Sequence, residues 1–124
     1  MDADYRTVEG HLSLQDFVDE YVLRTGRRCF VVMQNDRVSG LITTHEVKKI
    51  DRERWSQTSV QSVMRPLSQL RTVAPETPAI QALELMGREG MNQLPVISDG
   101  HIQGVITRGH VMRFLSAQAE LHHN

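Results

Sequence analysis

The segments Gly40-Leu-Ile-Thr-Thr-His-Glu-Val47 and Gly104-Val-Ile-Thr-Arg-Gly-His-Val111 follow one pattern at an offset of 64 residues. In both, a glycine is followed at fixed distances by an isoleucine, a threonine and a valine. The same offset aligns further positions in order, namely Glu20 with Glu84, Gly26 with Gly90 and Val32 with Val96. Because self-similarity at a fixed period marks a repeated structural unit, the sequence predicts two copies of one unit.

Each copy is predicted to begin with a short strand and an amphipathic helix. In the first copy, apolar side chains recur at the spacing of one helical face, formed by Leu14, Phe17, Val18, Tyr21 and Val22. Ser13 stands at the N-cap of this helix and Thr77 at the N-cap of its counterpart. Gly26 and Gly90 follow the last turns, where a left-handed residue commonly ends a helix.

A β-hairpin and a second helix complete each copy. The two-residue loops Asn35-Asp36 and Asp99-Gly100 separate strand-like runs and favour type I′ turns. The second helices begin at about Thr43 and Thr107. We therefore predict an α/β (α+β) fold of two pseudo-twofold-related repeats, each strand–helix–hairpin–helix. The first repeat, with a charged linker, is expected to occupy residues 1–58, and the second residues 59–124.

Composition and charge exclude several classes of function. The 124 residues carry 14 Lys+Arg against 15 Asp+Glu, a net charge of −1. Because nucleic-acid binders generally show a basic excess, we expect no nucleic-acid partner, and a DNA-linked regulator is the least favoured function. The longest apolar run, Phe30–Met33, is far shorter than the ~20 residues of a membrane span, so no direct membrane insertion is expected. The single cysteine, Cys29, fits a reducing, cytoplasmic location.

Taken together, the repeated motifs resemble tandem cystathionine-β-synthase (CBS) domains, the regulatory pair known as a Bateman module. The residues that carry the resemblance are Val63-Met64, Thr72-Val73-x-Pro75, Ala82-Leu83, Leu94-Pro95-Val96, Asp99-Gly100, Gly104-Val-Ile-Thr107 and, in the first copy, Gly40-Leu-Ile-Thr43. The resemblance covers nearly the whole chain and implies a regulatory module.

A narrower resemblance is to the cytosolic tail of site-two-type membrane zinc metalloproteases. It rests on Tyr21-Val-Leu-Arg-Thr-Gly26, Lys48-Lys49, Trp55 and Val60-x-x-Val63-Met64. The zinc-binding His-Glu-x-x-His motif of those enzymes does not occur in this sequence. We therefore expect no enzymatic activity in this chain; the catalytic part of a parent metalloprotease would lie outside it.

The CBS resemblance implies a regulatory ligand in a cleft between the repeats: AMP, ADP, ATP or S-adenosylmethionine, with no cofactor required. The base pocket would be lined by Thr7, Val8, Cys29 and Phe30 or by Thr72, Val73, Leu94 and Pro95, while Thr43 and Thr107 would face the phosphates. Binding would shift the module between conformations and bias an attached effector.

The position that holds the ribose distinguishes the two copies. In the family an aspartate three residues after the threonine accepts hydrogen bonds from the ribose hydroxyls; here the matching residues are Glu46 and His110. A glutamate keeps the charge and both acceptors, whereas a neutral histidine offers one acceptor at most. The site around Thr43 and Glu46 is therefore the favoured one, and binding is expected to be weak.

Two alternatives stay open from the sequence. Thr43-x-x-Glu46 is also a capping box, in which both side chains satisfy free amides at a helix start. The pair of repeats could equally be a dimerisation or interaction module without ligand, and a homodimer is expected in either case. No metal site is predicted, because the histidines lack helical i,i+4 pairing and cysteine partners.

Overall fold

The computed structural model describes residues 5–122. The chain divides into two compact units, one spanning Arg6–Leu70 and the other containing Arg71 onward together with Tyr5. Both units combine strands and helices, which confirms the predicted α/β class.

The first unit contains, in chain order, β1 (Thr7–Glu9), α1 (Leu14–Phe17), a π-helical segment (Val18–Val22), α2 (Leu23–Thr25), β2 (Cys29–Gln34), β3 (Arg37–Thr43), α3 (Thr44–Lys48), a 3-10 helix (Arg52–Gln57), α4 (Val60–Val63), β4 (Arg65–Pro66) and a second 3-10 helix (Leu67–Gln69). Its four-stranded sheet has the order β1-β2-β3-β4. β1 runs parallel to β2, and the other neighbours are antiparallel.

Short-range interactions set the ends of these elements. Ser13 caps α1 as predicted, because its hydroxyl accepts a hydrogen bond from the Asp16 amide at 3.1 Å. Gly26, with a φ of 72°, ends α2 in the left-handed conformation. Asn35 and Asp36 have φ values of 53° and 62° in the turn between β2 and β3. Two successive positive φ values are those of the predicted type I′ turn.

An aromatic cluster packs at the centre of the first unit. Phe17 and Phe30 are fully buried and meet edge to face with their ring centroids 5.1 Å apart. Tyr21 meets Phe30 in the same manner at 5.9 Å. Such pairs contribute about 0.5–1.5 kcal/mol beyond the burial of apolar area. The other buried members of this core are Val8, Leu14, Val32, Ile42, Val47 and Val60.

Residues 59–70 belong to the first unit and pack against its earlier elements. The Val60 amide donates a hydrogen bond to the Leu12 carbonyl at 2.8 Å. β4 then pairs with β3 so closely that a Cβ at Gly40 would collide with the Arg65 carbonyl oxygen. The boundary between the compact units therefore falls after residue 70, whereas the sequence placed the boundary between the repeats after residue 58.

The second unit contains α5 (Ala79–Glu89), β5 (Gln93–Ser98), β6 (His101–Thr107) and α6 (Arg108–Leu121). β5 and β6 form an antiparallel hairpin, and Val73 adds a parallel bridge to Val96. Gly104 pairs with Val96 as Gly40 pairs with Val32, and a register shift follows each of these two valines. The two hairpins thus share the register that the 64-residue offset predicts.

One predicted cap is wrong. The sequence places Thr77 at the N-cap of α5, but this helix begins at Ala79 because Pro78 is extended, with a ψ of 142°. The Thr77 hydroxyl instead accepts a hydrogen bond from the Ala74 amide at 2.9 Å, in the turn before the helix. At the other end, Gly90 has a φ of 64° and terminates α5 as predicted.

Candidate ligand site

Thr43 and Glu46 lie where β3 ends and α3 begins, and their side chains form a capping box. Glu46 Oε1 accepts hydrogen bonds from the Thr43 amide and from the Thr43 hydroxyl, each at 2.8 Å. The same hydroxyl accepts a hydrogen bond from the His45 amide at 3.1 Å. The capping interpretation of the two residues is therefore confirmed, and a ligand-binding role remains a prediction.

The Glu46 carboxylate is held by one oxygen only. Glu46 is 7% exposed, and Oε1 accepts both of the hydrogen bonds from Thr43. Within residues 5–122, no side chain or amide donates to Oε2, yet no fully buried polar side-chain atom lacks a partner. Oε2 is consequently reachable from outside and retains its capacity as an acceptor.

Cys29 lies beside the capping box, paired with Thr43 in the register of β2 and β3. Burial raises the pKa of the Cys29 thiol to about 12, and the negative charge of Glu46 adds to the rise. Because the thiolate is the nucleophilic form, a thiol with this pKa is inert near neutral pH. Cys29 is a neutral packing residue beside the capping box.

An open pocket of about 520 Å³ adjoins Glu46, between α3 and the chain that follows α4. Its lining combines one carboxylate, three basic side chains and an apolar surface, formed by His45, Glu46, Lys49, Ile50, Val63, Met64, Arg65, Pro66 and Gln69. A carboxylate accepts hydrogen bonds from hydroxyls, cations attract an anion, and apolar side chains cover a planar ring. The pocket therefore offers each kind of contact that a nucleotide needs.

Of the residues predicted for the first repeat, Glu46 alone lines this pocket; Thr43 contacts Glu46 but does not border the pocket itself. Val8 and Phe30 are buried in the hydrophobic core, with exposures of 2% and 1%. Thr7 is exposed on β1, and Cys29 is partly buried at the start of β2. Within the first unit, the structure thus brings Glu46 and Thr43 together and leaves these four apart from the pocket.

In the second unit, Thr107 and His110 occupy the matching positions. The Thr107 hydroxyl accepts a hydrogen bond from the His110 amide at 3.1 Å and caps α6. His110 and Val73 border a cleft of about 170 Å³. Its remaining lining is apolar apart from a threonine, and consists of Ala74, Pro75, Thr77, Ala79, Ala82, Val96, Ile106, Val111 and Phe114.

Four predicted residues of the second repeat do not line this cleft, namely Thr107, Thr72, Leu94 and Pro95. Thr72 is exposed, whereas Leu94 and Pro95 are buried in β5. The cleft has no lysine, arginine, aspartate or glutamate in its lining. The two units therefore differ in chemistry: the first offers a charged pocket and the second an apolar one.

The sequence reasoning missed Lys49 and Arg65 as residues of the pocket. Lys49 follows Glu46 by three residues, a spacing that places two side chains on one side of a helical turn and could have indicated it. Arg65 had no such signal, because it reaches the pocket only through the pairing of β4 with β3.

The part of the chain that the structure describes contains neither a candidate metal site nor a candidate membrane-spanning helix. Residues 5–122 contain no group of three or more His, Cys, Asp or Glu side chains that could hold a metal ion. Over the same residues, no helix has both the length and the apolar character needed to cross a membrane.

Comparison with known proteins agrees with this fold. Residues 60–117 match the family described as CBS domain. The match falls on the second of the two predicted repeats. A predicted signal-transduction protein with CBS domains from Burkholderia ambifaria has a similar structure, with a TM-score of 0.81 and 24% identity over 93% of this chain and 85% of that one. The chain therefore has the fold of CBS-domain proteins.

Two further proteins are similar to this chain. The cytosolic domain of the Mg²⁺ channel MgtE, solved in complex with ATP, has a TM-score of 0.74 and 20% identity over 92% of this chain and 46% of that one. The predicted zinc metalloprotease Rip3 of Mycobacterium tuberculosis is 27% identical over 117 residues, which cover 93% of this chain and 30% of that protein. The chain thus spans less than a third of this relative, and the resemblance to CBS domains associated with zinc metalloproteases is confirmed.

Proposed function

We propose that the chain is a regulatory module that binds an adenine nucleotide or a related adenosyl compound and modulates an attached effector. The ligand would be AMP, ADP, ATP or S-adenosylmethionine, bound at the site of Thr43 and Glu46. The observation that carries the proposal is the Glu46 carboxylate, which is fixed through Oε1 and leaves Oε2 available at the edge of a pocket.

The lining of that pocket supports a nucleoside ligand. Ile50, Val63 and Met64 supply apolar surface for a base. Glu46 supplies an acceptor for ribose hydroxyls, and a fixed carboxylate loses little freedom when it binds them. Thr43 takes part by holding Glu46 in place through two hydrogen bonds.

The nature of the effector is proposed from the relative. Rip3 bears the name of a zinc metalloprotease, and this chain matches 30% of its length. We propose that the module acts on such a protease from the cytosolic side of a membrane. MgtE, whose cytosolic domain has a similar fold and was solved with ATP, supports a nucleotide as the signal.

The test is a thermal melt of the chain with millimolar AMP, ADP, ATP or S-adenosylmethionine. A ligand at 100 times its dissociation constant stabilises the fold by about 2.7 kcal/mol, which raises the melting temperature by several degrees. We expect at least one of the four compounds to do so. If none does, the sensing function is wrong and the module without ligand replaces it.

Variants separate the ligand role of Glu46 from its capping role. Glutamine also completes a capping box, so Glu46→Gln should leave the melting temperature without ligand nearly unchanged. The ligand shift should shrink, because the lost acceptor weakens binding by about 1–3 kcal/mol. Thr43→Val should weaken binding as well, and Thr107→Val serves as the matched control. If Thr107→Val removes a shift that Thr43→Val leaves intact, the site assignment is wrong although the function stands.

A second candidate function, dimerisation, is favoured by an apolar groove on the second unit. Ile80 and Phe114 are 53% and 51% exposed and border this groove together. Met112, which is also 51% exposed, adds apolar surface on α6. Large exposed apolar side chains that lie together often mark an interaction surface. We propose that two chains associate through this groove as a homodimer.

Sedimentation tests the homodimer directly. We expect a mass of twice 14.1 kDa at high micromolar concentration. The double variant Ile80→Glu/Phe114→Glu should sediment as a monomer with an unchanged circular dichroism spectrum. Leu23→Glu, which alters a 72% exposed leucine of the first unit, is the matched control. A wild-type monomer at this concentration would rule the homodimer out.

A further inference from the structure

The pocket beside Glu46 has more basic than acidic side chains in its lining, although the chain as a whole has no excess of positive charge. Lys49 and Arg65 line it, together with His45 and the single carboxylate of Glu46. The net charge of the whole chain is −1, so this excess is local. Two cations that line the same pocket repel each other, and an anion bound between them would relieve that repulsion.

The two cations are not engaged elsewhere in the described residues. Over residues 5–122, the ion pairs include Arg24 with Glu20 and Arg71 with Glu89, and no carboxylate pairs with Lys49 or Arg65. The carboxylate in the same pocket, Glu46, is occupied through Oε1 by Thr43. Both cations are therefore available to a bound anion.

Their positions in the fold suit a ligand that reaches across the pocket. Lys49 is the C-cap residue of α3, one turn after Glu46, and Arg65 belongs to β4. A ligand whose sugar hydroxyls bind Glu46 would therefore have a cation from each of two elements within the same pocket. Arg65 adds specificity, because a guanidinium binds phosphate oxygens in a bidentate manner.

The cleft of the second unit provides an internal contrast. His110 is its sole ionisable lining residue, and no lysine or arginine borders it. Attraction of a highly charged anion is therefore a property of the first unit and not of both repeats.

From this distribution of charge we infer that the pocket beside Glu46 selects nucleoside di- and triphosphates over AMP and over S-adenosylmethionine. This inference rests on the proposed function and names its ligand class. S-adenosylmethionine carries a sulfonium cation and no phosphate, so Lys49 and Arg65 disfavour it. Each additional phosphate charge within about 4 Å of a cation in a water-exposed pocket strengthens binding roughly fivefold.

The test is a binding series of adenosine, AMP, ADP, ATP and S-adenosylmethionine in the absence of divalent cations. Trp55 is the fluorescent reporter, because its indole N–H donates to the carbonyl of Ile50, a pocket residue, at 2.9 Å. Calorimetry provides a second readout. We expect ATP to bind about 25-fold more tightly than AMP, and S-adenosylmethionine to bind most weakly. Raising the salt from 0.1 M to 1 M should compress the series, since the screening length falls from about 10 to 3 Å.

Variants that remove charge test whether Lys49 and Arg65 cause the preference for ATP over AMP. Lys49→Gln/Arg65→Gln should reduce the ATP-to-AMP ratio to near one and leave adenosine binding unchanged. The matched control is Lys48→Gln/Arg54→Gln, which removes the same charge from two exposed residues that do not line the pocket. This control should leave the differences in affinity among the five compounds unchanged.

Each outcome decides between the two proposals. If AMP and ATP bind equally, the selectivity inference is wrong and the proposed function stands. If the series is present but flattened equally by both double variants, the assignment to this pocket is wrong. If no compound of the series binds, the proposed function falls as well.

Discussion

Replacing Gly40 by alanine should unfold part of the wall that carries Arg65. An ideal Cβ at Gly40 would overlap the Arg65 carbonyl oxygen and lie 3.0 Å from the Arg65 carbonyl carbon and 3.1 Å from Pro66 Cα. All three atoms belong to the backbone, so no side-chain rotation can relieve the overlap. The relief must come from movement of β4 away from β3, which breaks the pairing of Gly40 with Pro66.

The expected cost follows from two contributions. Overpacking a close contact destabilises a protein by about 1–3 kcal/mol, and the loss of a backbone hydrogen bond adds about 1 kcal/mol. Gly40→Ala should therefore lower the free energy of unfolding by about 2–4 kcal/mol. For a chain of this size, that lowers the melting temperature by roughly 6–15 °C.

The same chemical change elsewhere should have the opposite sign. Gly87 lies inside α5, and a Cβ there would meet no atom within 4 Å. Alanine is about 1 kcal/mol more favourable than glycine in a helix interior, so Gly87→Ala should raise the melting temperature by a few degrees. Thermal and urea unfolding followed by circular dichroism measure both variants. If Gly40→Ala melts within about 2 °C of the wild type, β4 does not lie against β3 as described, and the pocket wall built on Arg65 is wrong.

Further predictions concern three residues of the first unit, namely Cys29, Phe30 and Ser13. Cys29, with its pKa raised to about 12, should react with a thiol reagent at pH 8 about a thousandfold more slowly than the unfolded chain. Because the unfolded thiol loses its proton at lower pH, the free energy of unfolding should fall by about 1.4 kcal/mol per pH unit between about pH 9 and pH 12, and Cys29→Ala should lack this component. Phe30→Ala should lower the free energy of unfolding, measured by urea titration, by about 3–5 kcal/mol, since the ring is fully buried. A loss below about 1 kcal/mol would contradict the described packing of Phe30. Ser13→Ala should cost about 1 kcal/mol through loss of the cap on α1, and an unchanged melt would show that the cap is dispensable.

The sequence alone determined the repeated unit, its hairpins and most of its helix ends. The offset of 64 residues predicted that Gly40 and Gly104 are equivalent, and each pairs with the matching valine of its hairpin. Asn35-Asp36 formed the expected turn, and Gly26 ended its helix. These features depend on backbone angles and hydrogen bonds within a few residues, so a local pattern is sufficient to predict them.

The capping box was open to prediction for the same reason, because Thr43 and Glu46 are three residues apart. The burial of Glu46 could not be predicted in this way, because its exposure of 7% depends on distant parts of the fold. Thr77 shows the limit of local reasoning. The pattern of a threonine before a proline fits a cap, yet the hydroxyl bonds backwards to Ala74 and the helix starts later.

Only the tertiary structure decided where residues 59–70 belong and what surrounds Glu46. β4 pairs with a strand more than 20 residues earlier in the chain, and this pairing brings Arg65 to the pocket that also contains Lys49. The apolar pattern of residues 59–70 does not identify the strand with which they pair. The choice is made by backbone pairing and by the absence of a side chain at Gly40, which admits the close approach. Contacts of this kind join residues that no sequence period relates, and the charge of the pocket follows from them.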